Sequence, residues 1–197
     1  MNVLVLGIKQ SPLTPVIEES GCRVIETIDP IDTDYLRGHA IDYVVSYRYR
    51  HIIKQDLIDF LSAKIINLHI SLLPWNKGAD PNLWSFLEDT PKGVTIHFID
   101  KGLDTGDIIA QKELFFDPEV ETLGSTYENL NSEIVRLFKD VWPRIRVGKA
   151  AGIKQLPGGS LHMSKDKERF GYLLEKQGWN TPVKELIGKA LIDSNSG

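Results

Sequence analysis

Asn67-Leu68-His69-Ile70-Ser71-Leu72-Leu73-Pro74-Trp75-Asn76-Lys77-Gly78 is the stretch on which both the fold and the chemistry turn. Its first residues close an apolar run, Lys64 to Leu68, in which Ile65, Ile66 and Leu68 read as a short buried strand between a helical segment and a loop. Side chains alternate along a strand, so Asn67 and His69 face the same way. Thirty-five residues after His69, Leu103-Asp104-Thr105-Gly106-Asp107 adds a carboxylate in a glycine-flanked turn. An amide, an imidazole and a carboxylate are the groups needed to move an acyl group onto an amine. As the amine attacks, the carbonyl oxygen gains negative charge, which a pre-placed Asn NH2 and an imidazole N–H stabilise. A carboxylate holds the imidazole in its tautomer, favours its charged form and accepts the proton that the amine sheds. Each residue also has a local use: Asn67 capping a turn, His69 as a hydrogen-bonded core histidine, Asp104 closing its own turn.

Outward from this stretch the pattern alternates. Val3 to Leu6, Arg23 to Ile28, Tyr43 to Ser46 and Ile65 to His69 read as strands, with helical segments such as Leu13 to Ser20 and Gln55 to Ser62 between them. Alternation of this kind predicts an open α/β sheet, mostly parallel and flanked by helices. Val94 to Ile99 and Ile108 to Phe116 form two more strands, a hairpin-like extension joined by the Asp104 turn. In the first of these, alternation sets His97 and Thr95 opposite Val94, Ile96 and Phe98, and His97 reads first as structural, with lining the site as the alternative. Ser125-Thr126-Tyr127-Glu128 has the form of a capping box, with Leu130, Ile134, Leu137, Phe138 and Val141 at helical spacing behind it. Gly148 and Leu156-Pro157-Gly158-Gly159 then interrupt the chain before a charged helical tail, Lys165 to Lys176. The expected organisation is a catalytic domain over residues 1–150 and a helical C-terminal extension over 151–197 that is not an independent domain.

Composition fits a single-domain enzyme: 197 residues, 42% of them hydrophobic, suffice for a sizeable core. One cysteine, Cys22, excludes an internal disulfide framework and makes the cytoplasm the default compartment. Its glycine and arginine neighbours make it a packing residue and not a nucleophile. No apolar run is long enough to span a bilayer, so no membrane partner is expected. Neither His nor Cys recurs at metal-ligand spacing, so no metal is expected. Tyr47-Arg48-Tyr49-Arg50-His51 interleaves aromatics with cations but is too short for a nucleic-acid surface.

Asn-x-His-x-Ser-Leu-Leu-Pro-x-x-x-Gly, with the later Gly-Val-Thr-x-His and Leu-Asp-Thr-Gly, resembles the catalytic core of the folate-dependent formyltransferases from about Tyr43 to Ile109. The resemblance implies an open Rossmann-like formyltransferase sheet, N10-formyltetrahydrofolate as formyl donor, and Asn67, His69 and Asp104 as the catalytic trio. It also implies a pterin pocket built largely of backbone, here Arg50, His51, Ile52 and Ile53 before the Asn-x-His strand and Ile99, Asp100, Lys101, Gly102 and Leu103 before Asp104. The stretch ahead of Asn67 is shorter than in relatives of this kind, as though a helix–strand unit were missing.

The acceptor is narrowed by departures from each branch of that family. The Gly7-Ile8-Lys9-Gln10-Ser11 loop lacks the Gly-Ser-rich phosphate loop of glycinamide ribonucleotide transformylase, and also the Gly-x-Gly-x-x-Gly of a dinucleotide site. A net charge of −4 does not suit tRNA, nor does a chain ending at Gly197 leave room for the basic domain of methionyl-tRNA formyltransferase. A small amine remains, most readily an amino-sugar nucleotide. Lys9, Ser11, Ser71, Lys77 and Trp84 are the candidate acceptor residues: cations and hydroxyls for an anion, with Trp84 and Trp75 either as stacking surfaces or as core packing. A formyltetrahydrofolate hydrolase and a non-catalytic folate-binding module are the alternatives, and a homo-oligomer is compatible with all of them.

Overall fold

The computed structural model describes residues 1–62 and 64–193. The chain runs β1 (Asn2–Leu6), α1 (Leu13–Glu19), β2 (Arg23–Thr27), α2 (Thr33–Gly38), β3 (Tyr43–Tyr47), α3 (Gln55–Leu61), β4 (Ile65–His69), β5 (Lys77–Gly78), α4 (Pro81–Leu87), β6 (Lys92–Phe98), β7 (Ile108–Leu114), α5 (Leu123–Ile145), β8 (Leu161–His162) and α6 (Lys189–Asp193). Six strands make one sheet in the order β2-β1-β3-β4-β6-β7, and β5 pairs with β8 apart from it. β1 lies parallel to β2 and β3, and β3 to β4, while β4 and β6 are antiparallel. This is the open, mostly parallel α/β sheet that the alternation predicts. All five residues of β3 are buried, as in a parallel strand covered on both faces.

Two compact units interleave along the chain. The first holds Met1–His69, Thr95–Ala110 and Ile134–Gln155; the second holds Ile70–Val94, Gln111–Glu133 and the chain from Leu156 onward. Neither is a continuous piece, so a division at residue 150 separates 151–155 from the first unit, to which the paired backbone bonds between Ile108 and Ile153 tie them. The first unit's core gathers Leu4, Leu6, Leu36, Ile41, Val44, Leu57, Leu61 and Ile65 from β1, β3, β4 and the helices between them. Cys22 is buried there beside the Ser20 hydroxyl, as a packing residue. The second unit's core is built on α4, with Leu83, Trp84, Phe86 and Leu87 packed among Leu123, Phe170, Val183 and Leu186.

Local details differ from the sequence reading in informative ways. The α5 cap sits three residues earlier than the expected box. Thr122 Oγ1 accepts from Ser125 N at 3.1 Å, and Ser125 Oγ accepts from Thr122 N at 2.9 Å, a reciprocal cap that uses Ser in place of Glu. Behind it the buried stripe is Leu130, Ile134, Phe138, Trp142 and Ile145, with Leu137 and Val141 only half-buried. The charged tail forms a 3-10 helix, Asp166–Leu173, and not an α-helix; only Phe170 in it is buried, too little to hold a longer amphipathic face.

Candidate active site

β4 and β6 meet in a register that sets Asn67 opposite His97. A side chain pair facing each other across antiparallel strands is within reach, and Asn67 Nδ2 lies 3.3 Å from His97 Nε2. Asp104, in the turn after β6, closes the group. Its Oδ1 accepts from Asn67 Nδ2 at 3.1 Å and lies 3.4 Å from His97 Nε2, and its Oδ2 lies 3.6 Å from His69 Nδ1. The side chains of His69, His97 and Asp104 are 7%, 1% and 10% exposed, so their mutual electrostatics are poorly screened by water. His97 Nδ1 lies 2.7 Å from Phe98 O. A carbonyl has no proton to give, so Nδ1 carries the hydrogen and neutral His97 offers Nε2 as an acceptor for Asn67.

The Asp104 turn is shaped by backbone needs. Asp104 has φ 53°, the left-handed region that Asp tolerates better than most residues. A Cβ on Gly106 would lie 1.8 Å from Phe98 O, so only glycine lets the turn fold back onto β6. Asp100 Oδ1 accepts from Gly102 N at 3.0 Å and Thr105 Oγ1 at 2.6 Å, which ties the 99–103 loop to itself.

The two loops assigned to a pterin lie against one core: Ile53 and Ile99 both pack on the Leu4, Leu57 and Ile65 cluster. Between Arg50 and Ile53 the chain is neither helix nor strand, and among the described residues the backbone groups of His51, Ile52 and Ile53 make no hydrogen bond. Ile52 and Leu103 are 83% and 43% exposed. Unused backbone donors and acceptors beside exposed apolar side chains fit a flat heterocycle with a polar edge. Arg50 and Lys101 are exposed, and the His51 ring meets Tyr49 edge-on at 5.2 Å.

The acceptor residues fare differently. In the Gly7–Ser11 loop the backbone N–H groups of Gln10 and Ser11 donate to Glu26 at 2.7 and 2.9 Å, and the Thr14 hydroxyl donates to the same carboxylate. The loop therefore binds an anion that the chain itself provides, and Ser11, buried with its hydroxyl accepting from Leu13 N, and exposed Lys9 do not form an external anion site. A Cβ on Gly7 would also lie 1.9 Å from Tyr47 O, so β1 and β3 close tightly where such sheets usually open for a ligand. Trp84 is fully buried and stacks on His162 at 3.7 Å, which makes it core and not a stacking surface. Ser71 is buried and donates to Trp75 O at 2.8 Å, a bond that holds its own loop, which contains the cis Leu73-Pro74 peptide. Half-buried Lys77 reaches Gly158 O at 3.3 Å. Within the second unit, Ile70, Leu83, Tyr127, Leu174 and Trp179 line a cavity of about 220 Å³, together with Asp80 and Lys167.

The Glu26 carboxylate has a measurable consequence. Partial burial pushes its pKa up, but the bonds from Thr14, Ser11 and Gln10 outweigh burial and hold it below the usual glutamate value. A lowered folded-state pKa adds stability that is complete above the unfolded value near 4.5 and is lost as pH falls through the folded one. Glu26→Gln is expected to lower the Tm by roughly 2–4 °C at pH 7, about 1 kcal/mol for a chain of this size, with the gap to the parent closing below about pH 4. Thermal melts at pH 7 and pH 3 check this; an equal gap at both would assign the effect to packing.

The sheet presents an amide, two imidazoles and a carboxylate from β4, β6 and the turn beyond, the kinds of group that acyl transfer to an amine requires. Residues 3–141 match the model of the formyl transferase family, and the chain belongs to that family. It is 30% identical over 185 residues to the methionyl-tRNA formyltransferase of Agathobacter rectalis, covering 90% of this chain and 58% of that one, so it spans little more than half of that relative. Its structure is similar to that of the formyltransferase PseJ from Anoxybacillus kamchatkensis in complex with UDP-4,6-dideoxy-4-formamido-L-AltNAc and tetrahydrofolate. There the identity is 51%, the TM-score 0.92, and the match covers 96% of this chain and 100% of that one. A 4-N formyltransferase from Francisella tularensis shares the fold with a TM-score of 0.76 at 23% identity, over 85% of this chain and 78% of that one.

Proposed function

We propose that this chain transfers the formyl group of N10-formyltetrahydrofolate to the amino group of a nucleotide-linked amino sugar. The observation that carries the reading is the buried Asn67–His69–His97–Asp104 group in a chain 51% identical to a formyltransferase described with tetrahydrofolate and a formamido-sugar nucleotide. The folate, bound along 50–53 and 99–103, supplies the formyl carbon and the nitrogen that leaves. His69 and Asn67 donate hydrogen bonds to the carbonyl oxygen as its charge grows, and Asp104 takes the proton of the attacking amine. Asn67 already gives its amide hydrogens to Asp104 and His97, and the longer contact, 3.3 Å to His97, is the one it exchanges for the carbonyl oxygen. Until that exchange, His97 holds the amide in place.

The test is a panel. With N10-formyltetrahydrofolate and, in separate reactions, amino-sugar nucleotides, glycinamide ribonucleotide, methionyl-tRNA and no acceptor, formyl transfer is expected with an amino-sugar nucleotide alone. Tetrahydrofolate release without acceptor would replace this reading with a hydrolase; folate binding by calorimetry with no turnover on any acceptor would replace it with a binding module.

A further inference from the structure

The segment after α5 lies outside the family match, which ends at residue 141, yet it is bonded to the turn that carries Asp104. Four contacts converge within the first unit. Ile153 and Ile108 exchange both backbone hydrogen bonds at 2.8 Å. A Cβ on Gly152 would lie 2.6 Å from Asp107 Cβ and 3.1 Å from the Phe98 ring, so a glycine is what allows the segment to lie so close. Lys154 Nζ pairs with Asp107 at 3.0 Å. Gln155 Nε2 donates to Asp104 O at 2.8 Å and to Gly106 O at 2.9 Å, one amide hydrogen to each side of Thr105. Its Oε1 is buried and has no hydrogen-bond partner among the described residues.

We propose that Gln155 is a positioning residue for the transfer reaction: its side-chain amide fixes the backbone on both sides of the Asp104 turn and so sets where the Asp104 carboxylate stands between the two imidazoles. The orientation of that amide is decided by its partners. Two carbonyls can only accept, so the NH2 must face them, and Oε1 is left without a donor. A buried acceptor without a partner is unfavourable, and the arrangement persists because both amide hydrogens are spent on one turn. The turn needs such a hold. Asp104 sits in the left-handed region, Gly106 is folded against Phe98 O, and neither carbonyl is part of a strand ladder. The Lys154 ion pair does not supply it, since the lysine side chain is 89% exposed and such pairs contribute little.

The inference rests on the formyl-transfer reading, and two readouts keep their failures apart. Gln155→Met keeps the length and apolar volume but removes both donors. It is expected to lower kcat by roughly 10- to 100-fold with the KM for folate and acceptor within about twofold, because a displacement of the reacting group costs turnover and not ground-state binding. Gln155→His, which retains one N–H donor, is expected to return part of the loss, and Lys154→Ala to stay near the parent. Independently of any activity, amide hydrogen exchange in residues 104–107 is expected to rise about tenfold or more in Gln155→Met, with residues 65–69 unchanged. Should that variant not fold, Gln155→Glu, which presents only acceptors to the two carbonyls at neutral pH, gives the same exchange measurement. Unaltered exchange in 104–107 would overturn the proposal even in an inactive protein. In an active one, a parent-like kcat, or losses of kcat and folate affinity in equal measure, would overturn it too.

Discussion

Asp104→Asn is expected to lower kcat by about a thousandfold while leaving folate affinity within about threefold and the Tm unchanged or raised. The substitution keeps the shape of the side chain and an oxygen able to accept from Asn67, so the 3.1 Å contact need not be lost. What it removes is the charge between two imidazoles at 3.4 and 3.6 Å and the basic oxygen that takes the amine's proton. A proton with nowhere to go leaves the attack reversible, and general-base losses of this kind span about 10²–10⁴ in rate. Folate affinity is spared because the loops proposed to hold the pterin use backbone groups and Ile52, Ile53 and Leu103, not this carboxylate. Stability is spared because Asp104 is 10% exposed, and a neutral amide avoids the cost of keeping a charge in that environment. Steady-state kinetics with calorimetry on 5-formyltetrahydrofolate check all three expectations. A near-parental kcat would remove Asp104 from the mechanism, and a large fall in Tm would make it a structural residue.

How much of this was legible depended on whether the signal was local. The strands of the sheet were, because Val3 to Leu6, Tyr43 to Ser46 and Ile65 to His69 announce themselves by apolar runs, and a period of two places Asn67 and His69 on one side without further information. Asp104 was legible only as part of a motif, since nothing in its own turn says which strand it faces. For His97 the pattern leaves open whether the ring packs or lines the site. Thr95, Ile96 and His97 are at most 1% exposed, so polar and apolar alternation in β6 does not distinguish a solvent face from a site, and the fact that decides the role is the register with Asn67 across the strand pair. Trp84, open between core and stacking surface, was undecided for a related reason: six residues in a row, Asn82 to Leu87, are buried in α4, a helix covered on all sides, where an amphipathic reading has no exposed face to assign. Glu26 and Gln155 had no local signal at all. One looks like an ordinary polar position on an outer strand and the other like loop, and both act on backbone groups remote in sequence, which only the folded chain brings to them.

The second large effect concerns the donors. Asn67→Ala and His69→Ala are each expected to lower kcat by about a hundredfold or more, and the double variant to lose far less than the product of the two. Each donor acts on the same carbonyl oxygen, so once one is gone the charge that the other would meet is less developed at the moment of transfer. The network adds a second coupling. Asn67 is held by Asp104 at 3.1 Å and by His97 at 3.3 Å, and removing it leaves two acceptors, Asp104 Oδ1 and His97 Nε2, facing each other at 3.4 Å with no donor between them. The carboxylate then shifts relative to His69, so the Asn67→Ala enzyme already carries part of the His69 defect. His97→Ala, which deletes an acceptor from Asn67 and no donor to the reacting group, is expected to cost about tenfold, less than either. Kinetics on the two single variants and the double variant, with folate affinity followed in each, measure the coupling directly. Strict additivity of the two losses would mean that Asn67 and His69 act on different steps, and would require a carbonyl site that uses only one of them.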